Sequence, residues 1–306
     1  MSTLRFKAVE LLAQVALHRT HDRVVHVRGD DARSWLNGQV SNDVRELSGD
    51  LAHYALALTV KGRIVSDLWA IEEPDGLAIV LPEARCEATI ERLDKHIIME
   101  DVELTLDPAL EVLTVQGPRA GELVAALGAD LRSYGCPRLS PGGRDLWVER
   151  SAADALYDRL LAAARELGGG ALDDAGWAEA HVVLGVPRLG VDFGEDSYPQ
   201  EAGLGARAVS FAKGCYLGQE VVYMLEKRGQ LPRRLVQLEA PVSVVVEPGM
   251  PIVDGEGKRV GEVTSTTTSG DEVLALGYVK RALAEPERFV WIGGSPCRVR
   301  AIPGEA

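Results

Sequence analysis

Short apolar runs separated by polar turns, with stretches of helical spacing between them, fill most of the chain. Asp22 to Arg28 (D-R-V-V-H-V-R) predicts a strand, closed by Gly29-Asp30-Asp31. The Asp pair predicts a cap for a helix from Ala32, with Trp35, Leu36 and Val40 on one side. Tyr54–Val60, Ile64–Ile71 and Leu77–Leu81 are apolar runs broken by Lys61-Gly62 and by Glu72-Glu73-Pro74-Asp75-Gly76, a β-meander pattern. Ala84 to His96 has helical spacing, with Ile90, Leu93 and Ile97 on one face. Glu111–Gln116 predicts a strand, Arg119–Leu127 a helix, and Leu146–Glu149 a short strand. Ala152–Leu167 predicts a helix stopped by Gly168-Gly169-Gly170. Pro199–Gln219 has no clean period and predicts an ordered loop leading into a helix.

After Arg233 the texture changes. Leu235–Leu238, Val242–Val246, Gly261–Thr267, Val273–Val279, Phe289–Ile292 and Cys297–Ile302 predict short strands of a small β-barrel. The boundary falls near Leu231-Pro232-Arg233, giving a body over 1–231 and a barrel over 232–306. Strands and helices of the body do not alternate strictly. The fold class is therefore α+β, and a doubly wound parallel sheet is disfavoured.

Charge narrows the range of partners. The 306 residues include 33 basic and 46 acidic ones, for a net charge of −13. That balance argues against broad binding to nucleic acid or an anionic membrane. The hydrophobic fraction, 46%, excludes a disordered chain. No apolar run approaches the roughly 20 residues of a membrane helix. The start, Met1-Ser2-Thr3-Leu4-Arg5-Phe6-Lys7, reads as an amphipathic opening rather than a signal-peptide core, so the expected location is cytoplasmic. Cys86, Cys136, Cys215 and Cys297 are far apart, with no C-x-x-C pair, and free thiols are expected. His18 and His21 lack a third ligand at matching spacing, so no metal site is expected.

Three motifs carry candidate chemistry. Gly203-Leu204-Gly205-Ala206-Arg207-Ala208 fits a loose dinucleotide pattern, but no strand precedes it, so nucleotide binding is not expected. In Lys213-Gly214-Cys215-Tyr216-Leu217-Gly218-Gln219-Glu220, a thiol beside a Lys near a helix start is expected to ionise more easily, as nucleophile or soft metal ligand. The simpler reading is a small buried filler in a tight loop. Lys61 to Asp67 places an acid after an apolar pair, or simply a solvated Asp on an edge strand. Trp35 and Trp177 are core residues by default, with stacking on a flat ligand as the alternative.

Taken together, these segments resemble one family. Lys213–Glu220 (K-G-C-Y-L-G-Q-E) resembles the K-G-C-Y-x-G-Q-E motif of the YgfZ-like folate-binding proteins, relatives of the glycine-cleavage T-protein and of mitochondrial iron–sulfur assembly factors. Leu36–Asp43, Lys61–Leu68, Gly185–Gly190, Pro199–Ala202 and Gly261–Ser265 resemble further segments of that family, in order. The resemblance implies a T-protein-like fold, two intertwined α+β units around a central folate channel plus a C-terminal β-barrel. It implies tetrahydrofolate or a derivative as cofactor. It implies a role in iron–sulfur cluster assembly or repair on client or assembly proteins, supporting tRNA modification indirectly, without direct nucleic-acid or membrane binding. The alternative it implies is tetrahydrofolate-dependent aminomethyl transfer.

Residue by residue, the resemblance gives catalytic roles to Cys215 and Asp67 and a pterin-side role to Trp177. It gives cofactor contacts to Asp67, Asn42, Lys61, Arg63, Lys213, Gln219 and Glu220. Lys61, Arg63, Lys213, Arg228 and Arg233 are candidate partners for an anionic folate tail. Three positions depart from the pattern. Ser140–Leu146 lacks the T-protein's pterin-holding Glu, the T-protein's L-R-x-E-x-G Arg falls on His181, and the Arg that follows the Cys motif in many YgfZ-like proteins falls on Met224.

Overall fold

The computed structural model describes residues 7–128, 130–229 and 231–305. Of the expected amphipathic opening, Met1–Phe6 lie outside the described residues. Helix α1 (Lys7–Leu12) leads into β1 (Ala16–Arg19) and β2 (Asp22–Arg28). Helix α2 (Ala32–Gln39) starts after Asp31, as its spacing predicts. Asp31 does not cap it with its side chain, because the carboxylate instead accepts the Asp101 N–H at 2.9 Å. The meander follows as β3 (His53–Leu58), β4 (Ile64–Glu73) and β5 (Gly76–Pro82), then α3 (Glu83–Asp94) and β6 (Glu103–Asp107). Next come β7 (Leu110–Gln116), α4 (Ala120–Leu127), β8 (Ser133–Gly135), β9 (Arg144–Glu149), α5 (Ala153–Glu166) and β10 (Gly170–Ala171). Helices α6 (Asp174–Leu184), α7 (Gly205–Ala208) and α8 (Gln219–Arg228) precede the barrel.

The strands form two five-stranded sheets whose chain paths interleave. One has the order β10-β1-β7-β9-β8 and the other β3-β4-β5-β2-β6. Each sheet is apolar on both faces. Leu113, Val115 and Leu146 turn outward to Leu123 of α4 and Leu156 and Leu160 of α5. Ala55, Leu68 and Ile79 turn outward to Trp35 and Leu36 of α2 and Leu93 of α3. The inner faces meet each other through Val112 and Trp147 from one sheet and Leu56, Trp69 and Val80 from the other. Burying these inner side chains contributes roughly 1.5–3 kcal/mol each.

A bulge interrupts the β3–β4 pairing. Ala57 pairs with Ser66 and Leu58 with Ile64, so Val65 is the extra residue. Ile64 points into the inter-sheet core and Val65 out toward the helices, and beyond the bulge Leu68 and Ala70 point out while Trp69 and Ile71 point in. Asp67 therefore shares the inward face with Trp69. Unbroken alternation from Ile64 would have turned Asp67 outward.

The closed barrel has the order β11-β14-β13-β12-β15-β16. Its strands are β11 (Arg233–Pro241), β12 (Pro251–Val253), β13 (Arg259–Ser269), β14 (Glu272–Lys280), β15 (Phe289–Ile292) and β16 (Ser295–Ala301). Val242–Val246 forms no strand, and Val245 is 66% exposed. Pro251–Val253 pairs with β13 and β15 in its place. β-Branched content alone is a weak guide to which segment finds ladder partners. Strand β14 is buried on both faces. Val273, Ala275 and Val279 fill the barrel, while Leu276 and Tyr278 turn the other way and pack with Leu235.

Contacts that join barrel and body include those of Gln237, Leu235 and Asp192. Gln237 Nε2 donates to Val182 O and Val183 O at 2.6 and 2.9 Å, satisfying carbonyls at the end of α6. Leu235 N–H donates to Glu201 O at 2.8 Å. Asp192, 2% exposed, accepts from Thr264 Oγ1 and Ser265 Oγ at 2.6 Å each and from the Arg188 N–H at 2.9 Å.

Candidate functional site

A cavity of about 220 Å³ opens between the inner face of β3–β4 and α6. Its aromatic walls are Tyr54, Trp69 and Trp177, and its polar lining includes Asp22, Asp67, His181 and the guanidiniums of Arg138, Arg188 and Arg207. The chain builds each wall locally. Tyr54 and Trp69 face each other across β3–β4, with rings 5.0 Å apart. Asp173 caps α6 by accepting the Gly176 N–H at 2.8 Å, and Gly185 closes that helix at φ +67°. Trp177 and His181, four residues apart on α6, share one face, with rings 5.5 Å apart at 75°. His18 stacks behind Trp177 at 4.5 Å.

Asp67 is the acid of the cavity. Its Oδ2 accepts the Tyr54 hydroxyl at 2.7 Å, while its Oδ1 is buried without a partner among the described residues. Burial pushes its carboxyl up to about 6; the Tyr54 bond works against the shift, nearby Asp22 adds to it and Arg138 opposes it. The cations divide into two kinds. Arg138 is paired with Asp22 at 2.7 Å and Asp145 at 2.6 Å. Arg207 donates to the carbonyls of Pro137 and Arg138, at 2.7 and 2.8 Å, and lies over the Tyr54 ring at 4.8 Å. Among the described residues neither Arg207 nor Arg188 has a carboxylate within 4.0 Å. The lining thus offers flat apolar walls, one buried acceptor and two guanidiniums without ionic partners. That set suits a flat heterocycle with N–H donors and an anionic extension.

Of the residues given site roles in the sequence, Asp67 and Trp177 meet in this cavity, together with His181, noted there as a departure from the T-protein pattern, and the other role-bearing residues lie elsewhere. Lys213 is 5% exposed and its Nζ donates to Asn37 O, Val40 O and Asn42 O at 2.6, 2.7 and 2.7 Å. It ties the end of α2 to the Cys loop, and burial pushes its ammonium down to about 8. Asn42 donates to Tyr54 O at 2.8 Å and accepts from the Asp43 N–H at 2.9 Å. Lys61 is exposed in the β3–β4 turn. Arg63 donates to Asp196 O at 2.5 Å and covers the Tyr198 ring at 3.6 Å. Arg233 pairs with Asp196 and Glu201 at 3.0 and 3.4 Å. The Arg228 side chain lies outside the described part of the structure. Glu220 is exposed at the start of α8, and Gln219 Nε2 donates to Gly214 O at 3.5 Å.

Cys215 is exposed in the loop before α8, outside the cavity, whereas Cys86, Cys136 and Cys297 are buried. Tyr216 anchors the loop in the inter-sheet core. Gly218 (φ +85°) lets the loop approach the β3–β4 turn, since a Cβ there would lie 2.5 Å from Thr59 O. The Gly203 segment has a similar reason for its glycine, because a Cβ would meet Pro303 O at 2.3 Å. Trp35 is a core residue, 5% exposed, its Nε1 donating to His96 O at 3.1 Å.

Sequence reasoning did not find Tyr54, Trp69, Arg188 or Arg207, which lie in an apolar strand run, a turn and a weak glycine motif. Their common signal is spatial, not sequential.

Two family models match the chain, the GCVT N-terminal domain over residues 15–137 and the glycine cleavage T-protein C-terminal barrel domain over residues 233–304. The chain belongs to the glycine-cleavage T-protein family. Its curated relatives include the tRNA-modifying protein YgfZ of Escherichia coli O6:H1, 28% identical over 293 residues, which covers 90% of this chain and 88% of that protein. The YgfZ of Escherichia fergusonii is 27% identical over 277 residues, 85% of this chain and 83% of that protein. Among solved structures, the glycine cleavage system aminomethyltransferase T from Bartonella henselae superposes with a TM-score of 0.83 at 20% identity, over 97% of this chain and 88% of that one. The fold is thus that of the T-protein, with the YgfZ-like chains as sequence relatives.

Proposed function

We propose that this family member is a cytoplasmic folate-binding accessory protein that supports iron–sulfur cluster assembly or repair on client enzymes, tRNA-modifying enzymes among them. The observation that carries the folate part is the buried, unpartnered Oδ1 of Asp67, a residue that lines an aromatic-walled cavity. A buried acceptor without a donor costs free energy, which a ligand N–H removes. A pterin supplies such donors on a flat ring that suits Tyr54, Trp69 and Trp177. The cavity volume, about 220 Å³, is below the ~300–1,000 Å³ of pockets that hold whole drug-sized ligands. It suits the ring alone, with the anionic tail directed outward past Arg188 and Arg207. When bound, the folate would supply a carrier for one-carbon units; Asp67 would hold the ring and the guanidiniums the tail.

The exposed thiol of Cys215 supports the cluster part. An accessible Cys on a loop braced by Lys213 can make transient sulfur or cluster contacts with a client. One thiol does not complete a four-ligand cluster site, so the remaining ligands would come from the client. The net charge of −13 fits action through client enzymes rather than direct tRNA binding.

The test is a titration with tetrahydrofolate, read by thermal melting, on wild type, Asp67→Ala and Trp177→Ala. A ligand at about 100 Kd stabilises the native state by about 2.7 kcal/mol. The wild type should therefore melt higher with ligand, and both variants should respond less. A deletion strain should regain client-enzyme activity with wild type but not with Cys215→Ala. No melting response in the wild type removes the folate part; full rescue by Cys215→Ala removes the cluster part.

A second reading, aminomethyl transfer, draws on one observation: the Asp67 carboxyl, at about 6, is suited to proton transfer near neutrality. Formation of methylenetetrahydrofolate from an aminomethyl-lipoyl carrier would establish it. Intact folate binding without turnover would exclude it.

A further inference from the structure

The cavity holds a second acceptor, on His181. A carbonyl oxygen only accepts, so the His181 Nδ1, 2.9 Å from Val186 O, carries the ring hydrogen. Burial, reinforced by Arg188, Arg207 and Arg138, pushes the imidazole down to about 3, and the ring is neutral at physiological pH. A neutral ring protonated on Nδ1 has its lone pair on Nε2. No described residue bonds that nitrogen, and the ring lines the cavity. The Trp177 edge contact and the Val186 bond hold the ring plane in place.

The acceptor has a chemical consequence for the ligand. An arginine here would offer donors only, whereas His181 offers a lone pair. A tetrahydropterin ring carries N–H groups at N5 and N8. A fully oxidised pterin carries lone pairs at both, and a lone pair facing Nε2 leaves two acceptors opposed without a hydrogen between them. We propose that His181 is a specificity-determining residue, its Nε2 accepting a ring N–H that reduced pterins offer and oxidised pterins lack. This rests on the folate reading of the cavity and adds the residue that reads the ring's oxidation state.

The experiment is anaerobic calorimetric titration of tetrahydrofolate and of folic acid into wild type, His181→Phe and His181→Gln. One hydrogen bond to a neutral group corresponds to about tenfold in affinity. The wild type should prefer tetrahydrofolate by about that factor. His181→Phe should weaken tetrahydrofolate about tenfold and leave folic acid unchanged, abolishing the preference. His181→Gln, whose amide oxygen can accept, should retain most of it. Nitrogen-15 spectra of the wild type should show Nδ1–H and a shift of Nε2 on adding tetrahydrofolate, a readout independent of either variant's folding. A wild-type preference unchanged in His181→Phe, or an unmoved Nε2 resonance in the folate-saturated protein, overturns the assignment while the folate reading stands. A wild type that binds neither compound overturns the folate reading, and this assignment with it.

Discussion

The Tyr54 hydroxyl reaches Asp67 Oδ2 at 2.7 Å diagonally across the β3–β4 ladder, from a position directly opposite Trp69. One carboxylate oxygen is thereby engaged and the other is buried without a hydrogen-bond partner among the described residues.

The carboxyl titrates at about 6 in the folded chain and near 3.9 when unfolded. Between these values the native state binds more protons, so the stability contributed by the neutral acid is complete below about pH 4 and is lost as pH rises through about 6. Asp67→Asn should remove this dependence and gain about 1 kcal/mol over wild type at pH 7.5, a figure reduced for cavity water. Urea denaturation at pH 4.5 and 7.5 measures it; parallel pH profiles for the two proteins would exclude it. An N–H donor ligand favours the ionised acid, so tetrahydrofolate affinity should fall below about pH 6 in wild type and stay flat in Asp67→Asn.

Lys213 is expected to matter for folding rather than ligand contact. Lys213→Met leaves three carbonyls at the end of α2 without their common donor. It should cost about 3 kcal/mol, whereas Lys61→Met, on an exposed turn, should cost less than about 0.5 kcal/mol. Equal unfolding midpoints for the two variants would contradict the assignment.

Asp192 links the barrel to the cavity lining. Asp192→Ala leaves the Ser265 hydroxyl and the Arg188 N–H without this partner and the Thr264 hydroxyl with Leu276 O alone, at 3.2 Å, and should cost ~2–4 kcal/mol. The loosened Arg188 turn should also weaken binding of polyanionic folates more than of a pterin without a tail. Comparing the two ligands by calorimetry separates this from a general loss of stability.

Thiol accessibility gives a count. Cys215 is exposed, while burial raises the thiols of Cys86, Cys136 and Cys297, the last to about 11. A thiol-exchange reagent should modify one group rapidly in the native protein and four after denaturation. Cys215→Ala should abolish the rapid phase.

Much of this was legible in the chain. The apolar runs of β4, β5, β7 and β14 and the spacing of α2, α3 and α5 set the element order, since burial of a periodic face is a local pattern. The octapeptide around Cys215 and the segments in order with it pointed to the family that the comparisons then gave. Local pattern could not say that Val65 would bulge, and that bulge is what turns Asp67 inward beside Trp69. Nor could it say that Lys213 would spend its charge on α2 carbonyls, or that Arg188 and Arg207, 19 positions apart, would meet Trp177 and His181 around one cavity. Sequence determines which faces are apolar. Sheet register, one residue at a time, decides which polar side chains those faces enclose.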